Sequence, residues 1–122
     1  MSTYDNEVNE SIDNLSKNKE IKDLSLNWIN KSIEARYSYN FKWMGRPIIQ
    51  LPQDIVAMQE LIWDIKPDLI IETGIAHGGS IIFHASMLEL LGNNGQVVGV
   101  DIDIREHNKK EIEAHSMYKR IS

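Results

Sequence analysis

One segment limits the fold of this chain more than any other, because it joins a strand, a glycine turn and a helix. The apolar run 69–73 has the β-branched residues of a strand covered on both faces, and residues 79–91 after the turn have a helical pattern. A second apolar run, 96–101, ends in Asp101. Two strands joined by a helix predict a βαβ unit with parallel strands, and therefore an α/β fold.

The chain before this unit is predicted to be largely helical. Residues 1–18 are polar, which predicts a tail that is either mobile or weakly helical. Residues 20–37 carry apolar side chains at helical spacing, which predicts an amphipathic helix packed on the main body. Residues 37–52 contain a glycine and two prolines and predict an irregular loop. This loop either covers the core or forms a wall of a ligand site.

Two further helices flank the predicted strands. Pro52 suits the first turn of a helix over residues 53–65, and residues 105–119 predict a polar helix. The predicted buried side chains of the first helix are Ile55, Met58, Leu61, Ile62 and Ile65. Because two strands make a poor sheet, we expect residues 19–122 to be the N-terminal portion of a larger domain, or a truncated product, with open strand edges.

Composition excludes several classes of protein. The 122 residues, 42% of them hydrophobic, suffice for one domain with a core. The formal net charge of −5 gives no general attraction for nucleic acid or anionic lipid. The chain has no cysteine and no apolar run of the roughly 18 residues that a membrane span needs. The sequence therefore predicts a soluble, cytoplasmic protein that binds neither nucleic acid nor membranes.

The glycine turn has the form Glu72-x-Gly74-x-x-x-Gly78, which differs from the Gly-x-Gly-x-x-Gly turn of NAD- and FAD-binding proteins. No Gly-Lys-Ser/Thr sequence follows it, so it is not a phosphate-binding Walker loop. An acidic residue before the turn and Asp101 at the end of the next strand suit a ligand that has a ribose and no pyrophosphate. S-adenosylmethionine is the common ligand of this kind.

Each residue of the motif has a predicted role in binding that ligand. Glu72 accepts a hydrogen bond from its ammonium group or orders the turn, and Gly74 lets the backbone come close. Gly78 opens the helix, where Ser80 and nearby N–H groups bind a carboxylate. Asp101 accepts hydrogen bonds from the ribose hydroxyls. In the alternative interpretation, the glycines only make a tight turn and Asp101 only caps a strand.

The histidines are the remaining candidates. His77 lies in the glycine turn, where it is either close to a substrate or exposed without a catalytic role. His107, Glu111 and His115 have the spacing of one helix face, which suits a metal ion or a solvated surface. His84 is predicted to pack or hydrogen-bond within its helix. The sequence assigns no catalytic residue and no metal ligand.

The pattern around the glycine turn extends over four stretches, residues 42–54, 66–68, 72–80 and 100–103. Together these stretches resemble the cephalosporin hydroxylase and rhamnosyl O-methyltransferase family, over about residues 40–121. The resemblance implies a Rossmann-like class I methyltransferase fold, here truncated to the N-terminal helices and the first βαβ unit. By motif match it implies cofactor contacts at Glu72, Gly74, Gly78, Ser80 and Asp101.

The resemblance also implies an activity, the transfer of a methyl group from S-adenosylmethionine to a hydroxyl group of a sugar or small natural product. In that family, later strands carry acidic ligands for a divalent metal such as Mg²⁺, and nothing here matches them. Two alternatives stay open. One is a catalytically silent fragment that binds the cofactor or a partner, including a second copy through an open sheet edge. The other is a hydroxylase of the cephalosporin hydroxylase type.

Overall fold

The structure is a computed structural model that describes residues 2–122, and contacts divide it into two units, one ending at Tyr37 and one over Ser38–Ser122. The first unit contains helices α1 (Thr3–Lys17) and α2 (Lys19–Glu34). The second contains, in chain order, β1 (Phe41–Trp43), β2 (Arg46–Ile48), α3 (Pro52–Ile65), β3 (Leu69–Thr73), α4 (Gly79–Leu91), β4 (Gln96–Val100) and α5 (Glu106–Glu113). Short 3-10 helices lie at Tyr37–Asn40 and Tyr118–Arg120.

Capping side chains explain where the first two helices begin. At the start of α1 the Ser2 hydroxyl accepts from the Asp5 N–H at 3.1 Å, and the Asp5 carboxylate accepts from the Ser2 N–H at 2.8 Å. Asn18 caps α2, with its Oδ1 3.1 Å from the Ile21 nitrogen. The polar segment 1–18 therefore contains a capped helix, and its separation from a domain over 19–122 stays a prediction.

The helix predicted over residues 20–37 is confirmed as α2, and the packing of its apolar face on the main body stays a prediction. The side chains concerned are 36% to 67% exposed: Ile21, Leu24, Leu26, Trp28, Ile29 and Ile33. Trp28 meets Tyr37 edge to face, with the ring centroids 5.5 Å apart. Helical spacing determines which side chains share a face, but it does not determine whether another surface covers that face.

A β-hairpin stands where the sequence predicted an irregular loop. Strands β1 and β2 pair antiparallel, with Trp43 opposite Arg46. The two residues between them, Met44 and Gly45, have φ values of 45° and 87°, as a tight two-residue turn requires. The prediction failed because methionine is not a typical residue of such turns and because Pro47 argues against a central strand. Pro47 is tolerated here because β2 is an edge strand of a two-stranded sheet.

Helix α3 begins at Pro52, as predicted, and ends before Lys66, whose φ of 50° is left-handed. Ile62 is buried, and Ile55 and Met58 pack against the same cluster. Two of the predicted buried residues are wrong, since Leu61 and Ile65 are 53% and 68% exposed. The apolar stripe is therefore wider than the face of α3 that contacts its neighbours.

Helix α4 forms the centre of the second unit, and its residues from Ile81 to Leu88 are all buried. One side packs against Val97 of the sheet and Ile112 of α5. The other side carries Phe83 and Met87, which pack against Ile48 and Ile62. Trp43 joins this second cluster, because its Nε1 donates to the Ser86 hydroxyl at 2.9 Å and its ring meets Phe83 edge to face at 4.9 Å. A helix that is apolar all round is expected where neighbours cover it on several sides.

Strands β3 and β4 pair in parallel, with Ile70 opposite Val97, which confirms the predicted βαβ unit. Along the other edge of β4, Ile121 forms a parallel bridge with Val97, and the Ser122 N–H donates to the Val97 carbonyl at 2.9 Å. The sheet thus continues beyond β4 by the pairing of these last two residues. The carboxyl ends of β3 and β4 lie at the same edge of the sheet.

The prediction that β3 is covered on both faces is wrong within the part of the chain that the structure describes. Side chains alternate along a strand, so Ile70 and Glu72 point to one face and Leu69 and Ile71 to the other. The first pair is partly buried, whereas Leu69 and Ile71 are 52% and 64% exposed. An apolar run does not by itself distinguish a strand covered on one face from one covered on both.

Helix α5 is shorter than the helix predicted over 105–119, because it ends at Glu113. Just beyond it the His115 Nδ1 accepts from the Met117 N–H at 3.2 Å, a local bond that replaces a helical one. No helix within residues 2–122 has the length and apolar composition needed to cross a membrane.

Candidate functional site

The glycine turn between β3 and α4 contains two left-handed glycines. Gly74 (φ 85°) extends the strand pairing, because its N–H donates to the Val100 carbonyl at 2.8 Å, and Gly78 (φ 83°) is the N-cap of α4. A Cβ on Gly78 would lie 2.5 Å from the Ile112 side chain, whereas a Cβ on Gly74 would meet nothing in the described chain within 4 Å. Gly78 is therefore needed for packing, and Gly74 leaves an open surface at the carboxyl end of the sheet.

Contacts from the hairpin and from α5 hold the middle of this turn. Ala76 has a φ of 46°, which costs a non-glycine residue about 1–2 kcal/mol. The Asn108 Nδ2 donates to the Ala76 carbonyl at 3.0 Å, and the Arg46 Nε and Nη2 donate to the His77 carbonyl at 3.0 and 2.7 Å. Arg46 Nη2 also donates to the Asn108 Oδ1 at 3.2 Å, and Asn108 is 4% exposed. This network fixes the shape of the turn.

We expect Ala76→Gly to raise the free energy of unfolding by up to about 1 kcal/mol, because glycine adopts this φ without the steric cost but loses more backbone entropy on folding. Urea unfolding of both proteins measures the difference. Ala85→Gly, buried in the middle of α4, is the matched control and should lower stability by about 1 kcal/mol or more. A destabilised Ala76→Gly variant would contradict the strain assigned to this residue.

Asp101 follows β4 and lies against the glycine turn. Its Oδ2 accepts from the Ile75 N–H at 2.7 Å, and its Oδ1 accepts from the Asp103 N–H at 3.1 Å. The Asp103 N–H, followed by the Ile75 N–H, favours the charged form and lowers the pKa of the Asp101 carboxyl below its usual value. A carboxylate has about four lone-pair positions, so further donors can still bind it. The structure thus gives Asp101 a part in ordering the turn, and its contact with ribose hydroxyls stays a prediction.

Two side chains of α4 hold Glu72. Its Oε1 accepts a short hydrogen bond from the Ser80 hydroxyl, and its Oε2 lies 3.1 Å from the His84 Nδ1. The side chains of Glu72 and His84 are 11% and 9% exposed. Because the Ser80 hydrogen is donated to Glu72, Ser80 has no second hydrogen for a ligand carboxylate in this arrangement. The predicted contact of Ser80 with the ligand is not tested by these bonds and stays a prediction.

A cavity of about 270 Å³ lies beside Glu72 and the glycine turn. Its lining includes Pro47, Gln50, Glu72, Gly74, Ser80 and His84. Within the segment 37–52, Ile48 is buried in the core, while Pro47 and Gln50 form a wall of the cavity. The use of that wall by a ligand stays a prediction.

The five predicted site residues gather around this turn but not all in the cavity. Glu72, Gly74 and Ser80 line it, Gly78 packs against α5 behind the turn, and Asp101 binds the turn from the end of β4. The structure thus brings the ends of the two strands together at the glycine turn.

Sequence reasoning missed four residues of this region: Arg46, Gln50, Asn108 and, in its contact with Glu72, His84. Arg46 and Gln50 fall in the stretch 42–54 that carries the family resemblance, which was the available signal. Asn108 carried none, because it lies in a polar helix whose other side chains are mostly exposed. His84 gave no sign of its partner, since the contact with Glu72 depends on how α4 packs on the sheet.

The other histidines have no shared site. His77 is exposed, and its carbonyl group makes the contact with Arg46. His115 lies beyond the end of α5, so the predicted helix face that it shares with His107 and Glu111 is wrong, and its Nε2 lies 3.0 Å from the Met44 carbonyl. Over residues 2–122, no group of three or more His, Asp or Glu side chains is arranged to hold a metal ion.

Comparisons with known proteins agree on one family. The family model described as Rhamnosyl O-methyltransferase/CmcI matches residues 35–122. A curated relative, the rhamnosyl O-methyltransferase of Mycobacterium leprae (strain TN), is 33% identical over 64 residues, which is 52% of this chain and 28% of the relative. The match thus spans little more than a quarter of that relative's length.

Solved structures of CmcI resemble the chain in three dimensions. A CmcI structure with SAH has a TM-score of 0.54 and 22% identity, covering 67% of this chain and 40% of that one. A CmcI structure with Mg-SAM has a TM-score of 0.52 and 23% identity, covering 59% of this chain and 33% of that one. At these identities the likeness concerns the fold, and it confirms the predicted Rossmann-like methyltransferase fold over the matched part.

Proposed function

The chain belongs to the rhamnosyl O-methyltransferase/CmcI family, and from this premise we propose that it binds S-adenosylmethionine at the glycine turn and takes part in O-methyl transfer. The observation that carries the proposal is the 2.7 Å bond between the Asp101 carboxylate and the Ile75 N–H, which joins the acidic strand end to the turn after Glu72. The proposed acceptor is a hydroxyl group of a sugar or small natural product, in keeping with the name of the curated relative.

The residues around the turn fit such a ligand. Gly74 leaves open space beside the cavity, and Asp101 keeps lone pairs that suit ribose hydroxyls. The first turn of α4, which also borders the cavity, has backbone N–H groups without helical partners, and these suit a carboxylate. Polar atoms of Gln50 and His84 are buried at the cavity without a partner among the described residues, as expected where a ligand binds.

When bound, the cofactor supplies a methyl group on a positively charged sulfur, and the protein's task is alignment. In this chain Arg46 and Asn108 hold the turn in one shape, so that the binding surface is formed before the ligand arrives. One CmcI structure is described as holding Mg-SAM. Residues 2–122 contain no group of three or more His, Asp or Glu side chains arranged to hold a metal ion, so Mg²⁺ bound to this chain would need other ligands.

Isothermal titration of the 122-residue chain with S-adenosylhomocysteine tests the proposal, and we expect saturable binding to one site. Gly74→Ala should weaken it at least about tenfold, because the added Cβ enters the open space beside the cavity. Gly45→Ala is the matched control, since its φ of 87° equals that of Gly74 within a few degrees and its Cβ also meets no atom within 4 Å. Both variants therefore carry a similar strain of about 1–2 kcal/mol.

Two results would overturn the proposal. One is a folded native chain that does not bind S-adenosylhomocysteine. The other is an equal loss of affinity in Gly74→Ala and Gly45→Ala, because the loss would then follow from backbone strain rather than from contact with the ligand.

A further inference from the structure

The turn between α4 and β4 contains Asn94, the only asparagine of the chain that precedes a glycine. Asn94 is exposed, whereas Gly95 is buried. Asparagine is among the thermolabile residues of proteins, because the next backbone nitrogen can attack the carbonyl carbon of its side chain. A glycine at the next position has no Cβ to hinder that attack. The turn therefore places both groups of one reaction side by side.

Three hydrogen bonds hold the chain around Asn94. The Gly95 N–H donates to the Asn93 Oδ1 at 3.0 Å, and the Asn93 Nδ2 donates to the Pro67 carbonyl at 3.2 Å. The Arg120 Nη1 donates to the Gly95 carbonyl at 2.9 Å. One of the two Asn93 bonds needs an oxygen and the other an N–H, so they allow a single orientation of its amide. Gly95 is thus held on both sides.

The bond from Gly95 to Asn93 opposes the attack on Asn94. To react, the Gly95 nitrogen must lose its proton, and the negative charge left on it would face the lone pairs of the Asn93 Oδ1. Gly95 also has little space in which to move, since a Cβ on it would lie 3.0 Å from both the Leu88 Cδ2 and the Pro67 carbonyl oxygen. The reaction therefore requires the turn to open locally.

We propose that Asn94 is a site of spontaneous deamidation and that the Asn93 side chain controls its rate. The Gly95 nitrogen gives its proton to solvent and forms a bond to the Asn94 Cγ, and the side-chain nitrogen leaves as ammonia. Water then opens the cyclic imide. Opening at Cγ gives aspartate, and opening at the backbone carbonyl gives isoaspartate, in which the main chain runs through Cβ. Water is consumed, ammonia is released and nothing is oxidised.

Isoaspartate at this position should destabilise the fold. It adds an atom to the main chain directly before Gly95, whose bonds to Asn93 and Arg120 fit the native length. The same turn leads into β4, where the Gln96 N–H donates to the Asp68 carbonyl at 3.0 Å. These bonds lie at the amino ends of the strands, whereas the proposed cofactor site lies at their carboxyl ends. The inference is therefore independent of the proposed function.

The first test compares the folded chain with the same chain unfolded in urea, at one temperature and pH. Mass spectrometry of a protease digest measures the modified fraction, because the product carries oxygen where the amide nitrogen was. We expect Asn94 to react faster than any other asparagine in urea, and at least about tenfold more slowly in the folded chain. Asn94→Gln should abolish the change of mass in the peptide that contains this position.

The second test concerns Asn93. Asn93→Ala removes the oxygen that holds the Gly95 N–H and should speed deamidation of the folded chain by about fivefold to tenfold, with no change in urea. Asn93→Asp keeps an acceptor oxygen and should react no faster than the native chain. Ala85→Gly is the control for lost stability, because Ala85 is buried in α4 away from this turn. It should speed the reaction less than Asn93→Ala does.

Each part of the proposal has a result that would overturn it. Equal rates in the folded chain and in urea, or a change of mass that persists in Asn94→Gln, would contradict the protected site at Asn94. An Asn93→Ala variant that reacts no faster than Ala85→Gly would remove the part assigned to Asn93. If that variant does not fold, hydrogen exchange of the Gly95 N–H in the native chain decides, since the bond to Asn93 requires slow exchange.

Discussion

Gly79→Ala should lower the free energy of unfolding by about 3 kcal/mol or more, a large share of the 5–15 kcal/mol that stabilises a typical domain. A Cβ at this position would overlap the carbonyl oxygen of Pro47 and lie 2.6 Å from the Ile48 Cα. These are backbone atoms of β2, and the Ile48 side chain is fixed in the core with 1% exposure. Backbone atoms cannot rotate away from an added Cβ as a side chain could, so the hairpin must move away from α4.

Gly92→Ala separates this overlap from backbone strain. Gly92 ends α4 with a φ of 70°, and a Cβ there would meet no atom within 4 Å. That variant should cost only the strain of a left-handed alanine, about 1–2 kcal/mol. Urea unfolding followed by circular dichroism measures both. A Gly79→Ala variant no less stable than Gly92→Ala would show that β2 does not pack as closely on α4 as the structure has it.

The parts of the fold that depend on local sequence could be predicted. The apolar run of β3, the glycines after it and the apolar residues of α4 each favour one local structure, and together they predict the βαβ unit. The meeting of Asp101 with the glycine turn also follows from the sequence, because parallel strands bring their carboxyl ends to one edge. Gly78 and Gly79 could be assigned to the helix start, although only the packing of Ile112 and β2 explains why each must be glycine.

The parts that depend on contacts between distant segments could not be predicted. Met44 takes a positive φ because pairing of β1 with β2 outweighs its local preference. Asn108 looks like any polar residue of an exposed helix until Arg46 and the turn meet it. The burial of apolar side chains could not be predicted for the same reason, since Leu61 and Leu69 have the pattern of core residues but are 53% and 52% exposed. The conformation and burial of such residues depend on tertiary contacts, which the spacing of residues along the chain does not reveal.

Asp101→Asn should weaken binding of S-adenosylhomocysteine by about a hundredfold. The native carboxylate accepts from Ile75 on one oxygen and from Asp103 on the other, and both oxygens keep lone pairs for ribose hydroxyls. An asparagine has one oxygen for these donors, and its NH₂ group would face an N–H of the turn or of Asp103. The variant therefore orders the turn less well and no longer offers the ligand a charged acceptor. Each of these two losses should weaken binding about tenfold, which together gives the expected hundredfold.

The same variant should change how stability depends on pH. Because backbone N–H groups lower the pKa of Asp101 in the folded chain, its ionised form stabilises the fold above the unfolded value of about 3.9, and this stabilisation is lost as pH falls through the lower folded value. Asparagine has no such proton. The difference in Tm between native chain and Asp101→Asn should therefore be constant near neutral pH and shrink below about pH 4.

Asp68→Asn makes the same change at an exposed position at the other end of β3, and it should alter neither the affinity nor this pH dependence. Equal effects of the two substitutions would mean that lost negative charge, and not the contacts of Asp101 with the turn, accounts for the result.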